Sequence, residues 1–340
     1  MEPDLGSHST RPARNTSLEE LGLPTLPLAL DPSFAEGALR AALGNAWPTG
    51  AGRLERVETI KIRAGRRAVL RFVFAPEGDR ASPFVLIGKI RAKGADRRVD
   101  RIARSLRERG FTDAGAMGFV VPRSFGCVPA LALHLQEGHG GVPISQEIGR
   151  DDSTSELAHR VGSALARLHR HGVDAERIHR VGDELAVLER DLQIVARGEP
   201  IWSERLGALL DTARSLAPRL ADRRVCPVHR DFHPDQVLVE DDRLVLLDLD
   251  LYAFGDPLLD VANFVAHLRE QALRELGIRG GIRTSSENSS PATSPRRDGR
   301  SRTNRSPPGS SSRSSGTSTS PGEFRSGGAS SPRSWPNAKR

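Results

Sequence analysis

The chain has 340 residues, enough for one large domain or for two lobes around a cleft. Its net charge is +7, but 11 Lys/Arg and only 3 Asp/Glu fall in residues 281–340; the rest, with 39 basic and 40 acidic residues, is near neutral and does not point to nucleic acid. Two cysteines without metal or redox spacing, no apolar run near the ~20 residues of a membrane span and no signal-peptide order at the start lead to the expectation of a cytoplasmic protein.

Residues 1–20 are polar and expected to be disordered. Residues 21–28 read as irregular and Pro-broken, and 34–42 as a short helix ended near Gly44. Residues 53–74 read as a β-hairpin: 57–62 alternate, 68–74 are largely apolar, and Arg63-Ala64-Gly65-Arg66-Arg67 turns between them. A third strand over 84–90 carries Lys89 inside an apolar run. A charge there needs a reason: either it faces a ligand, or it lies on an edge strand and reaches solvent. Val99, Ile102 and Leu106 at helical spacing predict a helix over 96–109. Residues 119–121 and 130–135 read as the next strands, and Gln136-Glu137-Gly138-His139-Gly140-Gly141 as a polar connection.

Helices follow. Ser153-Thr154-Ser155-Glu156 is a capping box, Leu157, Val161, Leu165 and Leu168 form one face, and Gly172 stops the helix. Leu185, Leu188, Leu192 and Val195 mark a second helix, and Leu206, Leu209, Leu210, Ala213 and Leu220 a third. Strands first and helices later is an α+β order.

The chemistry gathers in residues 229–260. Two apolar runs, 237–239 and 244–247, flank the polar turn 240–243, a hairpin signal. Asp231 precedes this hairpin, and Asp248 and Asp250 follow it. A hairpin brings its ends together, so the acids should converge, which is costly without a cation. Magnesium, which takes a few carboxylates plus substrate phosphates, is the obvious one.

The order His229-Arg230-Asp231, Gln236, hairpin, Asp248-Leu249-Asp250, Gly255-Asp256-Pro257 and Asp260 resembles the catalytic segment of the aminoglycoside phosphotransferase and choline kinase family, relatives of the protein kinases. The resemblance is strongest over 225–264 and extends over 53–172. It implies a two-lobed protein-kinase-like α+β fold, with a β-rich N-lobe over 21–135, a helical C-lobe over 136–282 and a disordered Ser/Arg/Pro/Gly-rich tail over 283–340. ATP and Mg2+ are the implied cofactors. Asp231 would orient the acceptor hydroxyl and take its proton. Asp248 would hold the metal, with Gln236 standing where the family has Asn; Asp250 is either a second metal ligand or a salt-bridge partner. Lys89 would contact the ATP phosphates, and residues 136–141 would form the hinge beside adenine. Gly65, with Arg66 and Arg67, either covers those phosphates or belongs to an exposed basic tip. The family's helix glutamate is not matched: Glu108 lies late in its helix and Asp100 is shorter, so the acid partner of Lys89 stays open. By the same resemblance Asp256 braces the catalytic loop.

The implied function is transfer of the ATP γ-phosphate to a hydroxyl of a small molecule. The alternative is a catalytically impaired pseudokinase or nucleotide-binding module. No membrane partner is expected, and nucleic acid only through the basic tail. After Ile282 there is no Leu, Val, Ile, Met or Tyr, so that segment reads either as out-of-frame coding or as a genuine basic tail.

Overall fold

The computed structural model describes residues 21–49, 51–77, 83–112, 118–148, 154–220 and 223–276. The capping box at Ser153, the chain start and the tail beyond Ile282 lie outside these residues. The stretch read as irregular enters a short helix, α1 (Leu26–Leu30), which buries Leu26 and Ala29. Asp31 then caps α2 (Pro32–Leu43), accepting from the amides of Ser33 at 2.8 Å and Phe34 at 3.0 Å. Pro32, at the first helical position, has no N–H to leave unpaired.

The expected hairpin is β1 (Ala51–Arg63) and β2 (Arg67–Pro76), which pair antiparallel. Gly65 in its turn has φ +64°, a conformation that costs a side chain energy. Next comes β3 (Phe84–Arg91), paired to β2. Helix α3 (Arg97–Glu108) is capped by Asp96 and buries Val99, Ile102 and Leu106, the face expected from their spacing. After β4 (Phe119–Val120) come β5 (Ser124–Val128) and β6 (Leu133–Glu137), completing a five-stranded sheet in the order β1-β2-β3-β6-β5.

The strand expected over 130–135 begins later than read. Pro129–Leu131 form a single 3₁₀ turn and Ala132 takes φ +48°, so the chain reverses before Leu133 joins the sheet. Sequence reasoning missed β5: its burial alternates, but the inward positions are Ser124, Gly126 and Val128, so only one of them carries a large apolar side chain.

The second half holds β7 (Val142–Pro143), α4 (Ile144–Glu147), α5 (Thr154–His171), α6 (Val181–Gly198) and α7 (Ser203–Leu216). Strands β8 (Cys226–Val228), β9 (Val237–Glu240), β10 (Arg243–Leu246) and β11 (Ala253–Gly255) and helix α8 (Leu258–Leu276) follow. Strands β9 and β10 are the predicted acidic hairpin, in a small sheet ordered β4-β10-β9-β7.

Two cores form. One packs α1 and α2 on the five-stranded sheet through Leu26, Leu39, Phe72 and Leu86. The other joins α3 and α5 to the chain around the acidic hairpin through Leu106, Leu168, Phe232, Leu246 and Tyr252. This is the two-lobed, kinase-like α+β architecture, and the second core carries the chemistry up to the sheet of the first. Among the described residues, no helix is long and apolar enough to cross a membrane.

Candidate active site

The loop between β8 and β9 is pinned from below by α8. Asp260 is fully buried, and its two oxygens accept from the backbone amides of His229 (2.9 Å) and Arg230 (2.7 Å). Its Oδ2 also meets His169 Nε2 at 2.9 Å. One turn on, Asn263 Nδ2 donates to the Arg230 carbonyl at 2.7 Å. Arg230 itself sits at φ +72°, a sharp reversal that these contacts hold in place. Phe232, fully buried, locks the far side by stacking on Phe264, with centroids 5.3 Å apart, and by meeting Phe119 edge-on. Asp231 lies between the two anchors and is half-buried. Its charge reaches His233, where it opposes the burial that lowers the imidazole's pKa.

His229 ties the loop to the hairpin. Its ring is buried and Nε2 donates to the Leu247 carbonyl at 2.7 Å, while the Leu247 amide donates to the Gln236 carbonyl at 2.8 Å. Those two bonds fix the residue before Asp248. Asp248 then adopts φ +53°, accepts from the Asp250 amide at 3.3 Å and starts a 3₁₀ turn. From α3, the buried Arg98 donates to the carbonyls of Asp250 and Tyr252. The catalytic loop and the Asp248–Asp250 turn are thus both held by buried side chains.

Strand β3 delivers Lys89 to this turn. Its Nζ donates to Asp248 Oδ1 at 2.8 Å and to Asp250 Oδ2 at 2.9 Å. These are the acid partners that the sequence left open. Asp100, the alternative, accepts instead from Ser124 Oγ (2.6 Å) and Arg104 (2.7 Å). Two further cations join: Arg67 lies 3.0 Å from Asp250 and 3.8 Å from Asp248, and Arg91 lies 2.5 Å from Asp250. Burial works to raise the Asp248 pKa, but the charge and hydrogen bond of Lys89, then Arg67, outweigh it, so the carboxyl sits well below its usual range.

Lys89, Asp248 and Asp250 therefore meet directly. Gln236 belongs to the same unit through its backbone, and its side-chain Nε2 lies 3.1 Å from His233 Nε2. The Gly65 amide is taken by the Leu21 carbonyl at 2.7 Å. Exposed Arg66 bonds through its backbone, to Arg63 and Ala92. Of the two arginines in this turn, Arg67 is the one that reaches the acids. Asp256 accepts from the Leu258 amide at 2.9 Å and pairs with Arg223 at 2.6 Å, so it caps α8 while Asp260 braces the loop. At the hinge, Glu240 of the hairpin turn accepts from the Gly140 amide (2.9 Å) and bonds His139 Nδ1 (3.0 Å).

Beside the catalytic loop opens a cavity of about 420 Å³, lined by Ser145, His233, Asp235, His267, Glu270 and Arg274 among others. The rings of His233 and His267 lie 4.7 Å apart across it.

Two hard carboxylates suit Mg2+ when phosphate oxygens complete its shell. Among the described residues no three His, Cys, Asp or Glu side chains gather as a closed metal cage.

The family model described as the phosphotransferase enzyme family matches residues 61–291. No curated protein matches the sequence. Among solved structures, the chain is similar to aminoglycoside phosphotransferase APH(3'')-Id from Streptomyces rimosus, at 19% identity over 76% of this chain and 94% of that one, with a TM-score of 0.47. It is also similar to a choline kinase from Cryptosporidium parvum, at 13% identity over 70% of this chain and 69% of that one, with a TM-score of 0.48.

Proposed function

The chain belongs to the phosphotransferase enzyme family, and on that premise we propose that it transfers the γ-phosphate of ATP to a hydroxyl of a small polar molecule. The observation that carries this reading is the meeting of Lys89 with Asp248 and Asp250, beside a loop that holds Asp231 in a fixed backbone reversal. Phosphoryl transfer asks a protein mainly for positioning and charge neutralisation. Lys89 supplies positive charge to the phosphates. Asp248 and Asp250, with Gln236, are the residues that would hold Mg2+, which would supply further positive charge to the phosphates. Asp231 accepts the proton of the acceptor hydroxyl as its oxygen bonds to phosphorus and the bond to the ADP oxygen breaks. We place the acceptor in the cavity that includes His233, two residues beyond Asp231. Its wall carries Asp235 and a Glu270 that is paired with Arg274 at 3.2 Å, a polar lining suited to a hydroxyl-bearing acceptor.

The test is ATP turnover with a panel of aminoglycosides, sugars and amino alcohols. Wild type should turn over at least one acceptor, and Asp231→Ala should slow it by about a hundredfold or more, the usual scale for a lost general base. Equal turnover in both would defeat the reading and leave a nucleotide-binding module.

A further inference from the structure

Resting on the kinase reading above, we propose that Arg67 and Arg91 are two further nucleotide-phosphate ligands, held on Asp248 and Asp250 until a nucleotide takes them. Neither belongs to the segment that suggested the chemistry. Both are placed by sheet register.

Arg67 and Arg91 are directly opposite each other on β2 and β3, and Lys89 is opposite Val69 two places along. Side chains two apart on a strand share a face, so Arg67, Lys89 and Arg91 form one cationic patch on one side of the sheet. Like charges directly opposite in an antiparallel pair repel. Such a patch needs anions, and the described structure gives it Asp248 and Asp250, at 2.5 to 3.8 Å from the three cations, and Asp96, 3.9 Å from Arg91. Three positive charges then face three negative ones. A metal ion that takes Asp248 and Asp250 would leave the cations in excess, and nucleotide phosphates would supply the missing negative charge.

Three details favour phosphate over a purely structural ion pair. Both arginine side chains are 27% exposed, more open than Lys89 at 17%, so they reach the water-filled side of the site. One terminal nitrogen of Arg91 is buried without an aligned acceptor, although it lies close to Asp250. A planar guanidinium with a donor to spare matches a phosphate's several oxygens better than one aspartate can. Finally, Arg98 fixes the Asp250 backbone from α3, so the acid stays in place when the sheet cations change partner.

The experiment is calorimetric titration of ATP, ADP and adenosine at low salt, with EDTA and then with Mg2+, so that binding is read without turnover. Arg67→Gln and Arg91→Gln should each weaken ATP by about tenfold, the scale of one lost charge-assisted contact, with a smaller loss for ADP and none for adenosine. Arg67→Lys should recover part of the loss. Asp250→Asn, which removes the competing anion, should tighten ATP when EDTA is present. Thermal unfolding of each variant shows that it is folded. ATP affinities within twofold of wild type in both arginine variants, alongside a clear loss in Lys89→Met, would overturn the inference and leave the kinase reading intact. Wild type that binds no nucleotide at all would sink the kinase reading itself, and this inference with it.

Discussion

Replacing Asp260 with Asn tests how the catalytic loop is held. The side chain is fully buried, and each oxygen accepts one backbone amide, from His229 at 2.9 Å and Arg230 at 2.7 Å. Asparagine keeps the shape but has one acceptor oxygen; its NH2 must then face one of those N–H groups, donor against donor. A hydrogen bond to a charged acceptor contributes about 1.5–3 kcal/mol, and a buried donor left unpaired costs about 1–3 kcal/mol. The carboxylate's contact with His169 at 2.9 Å is lost as well. Allowing for relaxation, Asp260→Asn should lower unfolding stability by about 3 kcal/mol, a large part of the ~5–15 kcal/mol of an ordinary domain. Urea unfolding followed by circular dichroism and by tryptophan fluorescence measures it. His169→Gln, which leaves both backbone bonds in place, should cost clearly less. A loss below about 0.5 kcal/mol in Asp260→Asn, the level of a neutral surface change, would refute the argument that this carboxylate carries the loop.

Three further outcomes are expected. Tyr252→Phe removes a buried hydroxyl that donates to the Val173 carbonyl (3.0 Å) and accepts from its amide (2.9 Å), so urea unfolding should show a loss of about 2 kcal/mol; no loss would mean that water satisfies Val173. Gly172→Ala would set a Cβ 2.5 Å from Pro227 Cβ, 2.6 Å from Tyr252 Oη and 2.7 Å from the Leu168 carbonyl, so its melting temperature should fall by several degrees, whereas Gly162→Ala, with open space around it, should not lower it. Because the folded Asp248 pKa is depressed, its ion pairs add stability that is present above the unfolded value of about 4 and is lost as pH falls below it. Wild type should therefore be more stable than Asp248→Asn at pH 7, with the gap narrowing between pH 4 and pH 3; a gap unchanged across that range would contradict the assignment.

Periodicity made much of this fold legible. The alternating runs of β1 and β2, the spacing of Val99, Ile102 and Leu106, and the face of Leu157, Val161, Leu165 and Leu168 each report which side is buried. Lys89 stood out because an apolar strand advertises a charge. Arg67 belongs to a turn with Arg63 and Arg66, and Arg91 gave no signal, because sequence alone cannot say which arginine a register turns toward the acids. Asp256 followed by Pro257 reads as an N-cap and first helical position, and Asp256 does cap α8. That Asp260, and not Asp256, braces the loop depends on the direction in which α8 leaves the site. Ala132 and Arg230 carry positive φ with no glycine to signal it, so the turns they make were invisible.

The site has two kinds of support, and they divide its work. Behind the acids, the anchors are buried: His229 on Leu247, Asp260 on the loop amides, Arg98 on the carbonyls of Asp250 and Tyr252. Such contacts are worth most where water is excluded, and they hold geometry rather than bind ligands. In front, the partners are charged side chains reaching from another sheet, partly open to solvent and exchangeable. A phosphoryl-transfer site needs both, because its acids must stay fixed while their counter-charges change with each turnover. The helix acid that kinase relatives aim at the lysine is replaced here by that division: α3 contributes Arg98, a cation gripping the acidic turn from behind, and Lys89 pairs with the acids themselves.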